Sequence, residues 1–230
     1  MNTIMSKILT GAVTILFAAE AAQGQLVTNS SSTSLNSELP VGQVGLTFPA
    51  SFSDVSGVIS SVSVTLDITG GFNGDLYAYL VGPGGQMAVL LNRPGLSGSN
   101  PFGYADPGFD VTLSDGSPNI HYYQSDPSYS GDGQEQVTGT WAPDGRNVDP
   151  GNTPGTVYDQ TAPTADFSVF DNTSANGQWT LFITDMSSGA GDGTIVNWGL
   201  TVVTVPEPST WVLLAGGVGV LMAFNCWRKR

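Results

Sequence analysis

The sequence predicts an all-β fold, an antiparallel β-sandwich. Two observations carry this. Apolar residues alternate with Ser, Thr and Asp in several short runs, and no long window shows helical periodicity. The segments between the runs are rich in Gly, Pro, Asn and Asp, the residues that close tight turns.

Residues 25–47 are expected to be a polar leader followed by a first strand region. Gln25 to Pro40 is low in complexity and reads as flexible. The first clear strand signal is Val58, Val62, Val64, Leu66 and Ile68, spaced mostly by two. Leu76 to Val81 and Met87 to Leu91 flank the Gly82-Pro83-Gly84-Gly85 turn and predict a hairpin, because glycine supplies the positive φ that a tight turn needs. From Pro94 to Phe167 the chain reads mainly as loop, with short strands around Phe109 to Leu113 and Val137 to Trp141. Trp179, Leu181 and Ile183 mark one further strand, and Ile195, Trp198, Leu200 and Val202 the last. Trp141, Trp179 and Trp198 are expected in the core.

Both ends read as processing segments. Lys7, the apolar run Ile8 to Ala19 and the small residues Ala21, Ala22 and Gly24 form a secretory signal peptide over residues 1–24, with cleavage expected after Ala21 or Gly24. The apolar run is shorter than the roughly 20 residues needed to span a bilayer. At the other end, Pro206 and Pro208 break the last strand. The apolar segment 211–227 is just long enough to cross a membrane as a helix, with Trp211 and Trp227 at its interfaces. Arg228, Lys229 and Arg230 would hold its end in the cytoplasm.

Between these ends the charge is lopsided: Arg93 and Arg146 are the only basic residues against seventeen acidic ones from Gln25 to Thr204. Such a surface repels phosphate backbones, so nucleic acid is excluded as a partner. It favours divalent cations, basic partners or solubility alone. The single cysteine, Cys226, lies in the apolar tail, so the body has neither a disulfide nor a thiolate metal site.

Three stretches resemble one family. They are Val62 to Leu91 with Asn73-Gly74-Asp75-Leu76 and Leu90-Leu91-Asn92-Arg93; Val137 to Gly145 with Gly139-Thr140-Trp141-Ala142-Pro143; and Asn176 to Leu200, where a Trp179 strand, an Asp185 turn and a Trp198 strand follow one another. Together they are similar to the P domain (Homo B domain) of proprotein convertases and bacterial kexin-like proteases, over roughly Phe48 to Val203. The resemblance implies a jelly-roll sandwich of about eight strands over residues 48–204. It departs from the family pattern at Thr69-Gly70-Gly71-Phe72, where a His-Thr-Tyr-like run is usual, and a P domain normally follows a subtilisin-like catalytic domain.

Catalytic chemistry finds little footing. A serine protease needs a base beside its nucleophile, and the one histidine, His121, lies in a loop-like segment without a Gly-x-Ser-x-Gly elbow. The expectation is a protein that is not an enzyme. Calcium is the better-grounded ligand, since it takes oxygens from flexible loops. Asp75, Asp115, Asp185 and Asp192 are the candidate ligands, with Asp110 and Asp171 also considered; turn aspartates capping backbone amides are the alternative. Tyr122, Tyr123 and Tyr129, in an acidic Gly-rich loop, are candidates for a sugar-stacking surface.

The tail has a second resemblance. Pro206-Glu207-Pro208, a short apolar helix and a terminal basic cluster, in that order, resemble the PEP-CTERM sorting signal over residues 205–230. This implies recognition by an exosortase, cleavage near Pro206-Glu207-Pro208, and passage from the inner membrane to the cell surface, outer membrane or extracellular polysaccharide matrix. The expected function is thus an exported, sorted protein with a noncatalytic binding or structural module. The alternatives are an accessory domain for a separately encoded subtilisin-like protease, and a glycan-binding protein of the matrix.

Overall fold

The computed structural model describes residues 25–31, 35–187, 189, 191–205 and 228. The expected signal peptide, the membrane segment 211–227 with Trp211 and Trp227, and Pro206, Glu207, Pro208, Lys229 and Arg230 lie outside these residues. Among the described residues no helix is long and apolar enough to cross a membrane.

The described strands are β1 (Gln25–Ser31), β2 (Ser37–Glu38), β3 (Leu46–Phe52), β4 (Val58–Thr69), β5 (Leu76–Val81), β6 (Met87–Asn92), β7 (Gly108–Ser114), β8 (Val137–Trp141), β9 (Gly177–Asp185) and β10 (Thr194–Val205). They form two facing sheets. One runs β1-β10-β4-β7-β8, with β2 also on β10; the other runs β3-β9-β5-β6. The all-β sandwich expected from the alternating runs is therefore present.

Each sheet turns one face inward, and the inward residues follow the period-two pattern. Val62, Val64, Leu66 and Ile68 of β4 are buried, as are Phe109, Val111 and Leu113 of β7 and Trp179, Leu181 and Ile183 of β9. Trp141, Trp198, Phe167 and Phe170 complete the core. Burying each such side chain contributes about 1.5–3 kcal/mol, so the core outweighs what any one surface contact supplies.

Two irregularities explain breaks in the pattern. β10 carries a β-bulge between Ile195 and Asn197, which puts both Ile195 and Trp198 inward although they are three residues apart. A second shift, between Val203 and Thr204 opposite β4, turns Ile59 inward where period two would place Val58.

Three expectations need correction. Gln25–Ser31 is not a flexible leader but a strand paired along its length with β10, from Gln25 opposite Thr204 to Ser31 opposite Trp198. Main-chain pairing tolerates a polar sequence, so composition does not report it. The pairing is also not wholly antiparallel: β7 and β8 run parallel, because the long connection between them carries the chain back to its starting end. His121, expected in a loop, lies within that connection in the short helical stretch Ile120–Ser125 and is buried.

Candidate functional site

Acidic residues gather at the end of the sandwich where β9 stops and β5 begins. Leu76 pairs with Asp185, which places Asp75 beside it. Both carboxyls are buried. Arg93 donates from Nη2 to Asp75 at 3.4 Å and from Nε to the Gly74 carbonyl at 3.0 Å. Asp185 accepts from the Ser187 N–H at 3.0 Å. Burial pushes the Asp75 carboxyl up from its ordinary value; the Asp185 charge adds to this, and Arg93 opposes it. Burial likewise raises Asp185, with the Ser187 and Gly193 amides opposing and the exposed Asp192 adding a smaller push.

Of the candidate calcium ligands, the fold thus brings Asp75, Asp185 and Asp192 to one corner. Asp115 lies beyond the opposite end of β7, accepting from the Phe167 N–H at 3.4 Å near Asp166 and Asp171. Asp110 pairs with Asp67 midway along the sheet. Among the described residues no group of three or more His, Cys, Asp or Glu side chains converges to hold a metal ion. A calcium ion at the Asp75–Asp185 corner would meet two carboxylates, one already paired with Arg93, and would draw the rest of its six to eight oxygens from elsewhere.

A second buried cluster is centred on Asp144, which has no exposed surface. It faces His121 Nδ1 at 2.6 Å and accepts from Arg146 Nη1 at 3.0 Å. His121 Nε2 lies 3.0 Å from the Leu96 carbonyl, which can only accept, so Nε2 carries a hydrogen. Arg146 continues outward to the Tyr122 hydroxyl at 2.8 Å, its guanidinium 4.8 Å from the Tyr122 ring centre. Both ring nitrogens of His121 are therefore engaged inside the fold, and the cluster pins the 142–146 segment to the 94–97 and 119–122 segments.

The three tyrosines expected to stack on sugar are not one surface. Tyr123 is fully buried and donates to Asp106 at 2.6 Å. Tyr129 also donates to Asp106. Burial pushes the Tyr129 hydroxyl up to about 12, and the bonds to Asp106 act in the same direction. Only Tyr122 is exposed, and Arg146 covers one face of it. The physical reason is Asp106 itself: a buried carboxylate requires donors, and Tyr123 and Tyr129 supply them.

A half-buried aromatic cluster lies elsewhere, on the outer face of the four-stranded sheet. Tyr77 and Tyr79 of β5 alternate with the buried Leu76, Ala78 and Leu80, and Phe182 of β9 alternates with Leu181 and Ile183. Tyr79 pairs directly with Phe182 in register, and the two rings stack at 4.6 Å with 12° between their planes. Tyr77 leans against both, its ring centre 5.7 Å from Tyr79 and 6.2 Å from Phe182. These rings floor a groove of about 350 Å³ whose walls include Gln43, Asn147, Val148 and Asp149. Gln43 reaches across to Asp149 at 3.4 Å, a long and exposed contact. Burial, with smaller pushes from Tyr79 and Asp149, raises the Tyr77 hydroxyl to about 12. The alternation of Tyr77, Tyr79 and Phe182 out of phase with the core was the available sequence signal for this surface. The partners on the walls, far away in the chain, left none.

The fold and its surfaces define a folded β-sandwich with an aromatic groove, followed by a short tail. Comparison with known proteins identifies the tail. The PEP-CTERM protein-sorting motif matches residues 204–230. The motif is the recognition signal for exosortase, so the chain is an exported protein sorted to the cell envelope or surface. No curated protein sequence matches the chain. Among solved structures, the chain is similar to the serine protease of Aeromonas sobria, with 14% identity and a TM-score of 0.40, covering 78% of this chain and 26% of that one. The complex of Aeromonas sobria serine protease with its chaperone is similar at 16% identity and a TM-score of 0.41, covering 80% and 27%. This chain thus spans about a quarter of the length of those proteins.

Proposed function

We propose that the chain is a surface or extracellular-matrix protein whose sandwich is a noncatalytic, P-domain-like binding module. The tail would hold it briefly in the inner membrane until exosortase cuts near Pro206-Glu207-Pro208. The observation that carries this reading is the junction itself: β10 ends at Val205, and the sorting motif spans 204–230. What is delivered is therefore a finished sandwich with its last strand already paired to β4.

The finer assignments have their own supports. The three stretches that resemble the P domain fall on β4 to β6, on β8 with the turn after it, and on β9 to β10. The sheet orders set strands distant in the chain side by side, such as β10 between β1 and β4, as a jelly roll requires. The noncatalytic reading is supported by His121, whose two nitrogens are taken up by Asp144 and the Leu96 carbonyl rather than by a serine hydroxyl.

Fractionation of cells with and without exosortase tests the proposal. The protein should reach the surface or medium only when exosortase is present. Equal surface delivery in both strains would refute it.

A further inference from the structure

We propose that the groove over Tyr77, Tyr79 and Phe182 binds a neutral polysaccharide, with one sugar ring packed against the Tyr79–Phe182 stack. This rests on the binding-module reading above and names the ligand class that the module would take.

Three features of the groove select that chemistry. First, its volume of about 350 Å³ falls in the range of about 300–1,000 Å³ typical of ligand sites. It is open to solvent on the outer face of a sheet, so a polymer can lie across it without threading. Second, floor and walls differ in kind. A pyranose ring is likewise two-sided, with an apolar C–H face and a rim of hydroxyls. The aromatic floor suits the face, while the Gln43 and Asn147 amides and the Asp149 carboxylate offer donors and acceptors for the hydroxyls. The Tyr77 and Tyr79 hydroxyls make no hydrogen bond within the described residues and remain able to bond a ligand.

Third, charge decides between neutral and acidic sugars. Among the described residues, the one charged side chain lining the groove is Asp149. Both arginines of the body are spent elsewhere, Arg93 on Asp75 and Arg146 on Asp144. An acidic polysaccharide would therefore meet a carboxylate and no cation, against the net negative field of the chain.

The Gln43–Asp149 contact joins two of the residues that line the groove. At 3.4 Å and exposed it is weak, so sugar hydroxyls can replace it at small cost.

The test is affinity electrophoresis of the full-length chain in mild detergent. The native gels would contain dextran, hydroxyethylcellulose or galactomannan as neutral probes and alginate as an acidic one. At least one neutral polysaccharide should retard the protein, and alginate should not. Tyr79→Ala should weaken the retardation about tenfold, and Tyr79→Phe, which keeps the stack, by no more than about twofold. Asn147→Trp, on the exposed rim, should block the groove without disturbing the core, which guards against a Tyr79→Ala protein that merely misfolds. The proposal is overturned if no neutral gel retards the chain, if alginate retards it more, or if Asn147→Trp leaves retardation unchanged. A chain that exosortase sorts but that binds none of the neutral probes refutes the ligand and leaves the sorting reading intact. A chain that binds but is not sorted does the reverse.

Discussion

His121 Nδ1 lies 2.6 Å from Asp144 Oδ2, and neither side chain is exposed by more than 1%. Because Arg146 shares the same carboxylate, Asp144 is the common partner of the only histidine and of one of the two body arginines. Removing it takes the carboxylate away from two buried side chains at once.

Asp144→Ala is therefore expected to destabilise the protein by about 3–5 kcal/mol, the cost of leaving a buried partner without its counter-charge. Tyr122→Phe touches only the outer end of the cluster and should cost about 1 kcal/mol. Urea denaturation of the two variants measures both. Equal, small losses would mean that the cluster does not hold the 142–146 segment in place.

Gly108 sits at a second constraint. Its φ is +105°, and a Cβ there would lie 2.0 Å from the Ile68 carbonyl oxygen. Its N–H and carbonyl are both bound by Asn73, at 2.9 and 3.1 Å. Gly108→Ala should cost about 2–5 kcal/mol, combining backbone strain with a clash against main chain that cannot move aside. Gly116 has φ +83° with nothing within 4 Å of its would-be Cβ, so Gly116→Ala should show the conformational part alone, about 1–2 kcal/mol. The difference in denaturation midpoint between the two separates strain from steric conflict.

Asp75, Asp115 and Asp185 are all raised above the ordinary aspartate value of 3.8, burial being the largest cause for each. A carboxyl raised in the folded state binds protons more tightly there than when unfolded. Its stabilising effect is thus complete below the unfolded pKa and is lost as pH rises through the folded one. On this account the melting temperature increases as pH is lowered from 7 toward 4. Asp185→Asn keeps the acceptor for the Ser187 N–H and should raise stability at pH 7 by about 1 kcal/mol while shrinking the gain on acidification. A melting temperature that falls steadily from pH 7 to 4 in both proteins would contradict this.

A divalent cation would relieve the same repulsion by another route. If the Asp75–Asp185 corner holds calcium, chelation should lower the melting temperature at pH 7 and Asp185→Asn should abolish the effect. A melting temperature indifferent to chelation removes calcium from the account, Asp115 included.

What the sequence disclosed followed from local periodicity. The β5–β6 hairpin, β7, β8 and the alternating core of β4, β9 and β10 are legible because one face of each strand is buried and side chains alternate faces. β1 was hidden because its pairing with β10 lies in the main chain. The burial of His121, and with it the loss of an exposed Tyr122–Tyr129 surface, was hidden for a different reason. Asp106 and Asp144 look like turn aspartates in sequence, and only the folded contacts show that each is a buried hub. The tail is the opposite case, since the order Pro206-Glu207-Pro208, apolar segment, basic cluster is a signal read in linear form.

The most direct test of the central claim is the intact mass of the mature protein from cells with and without exosortase. With the enzyme, the mass should correspond to a chain lacking both the signal peptide and the segment after the Pro206-Glu207-Pro208 region. Without it, the mass should include the apolar segment and its end at Arg230. The same mass in both strains, with the tail retained, would contradict the claim that this sandwich is delivered by exosortase.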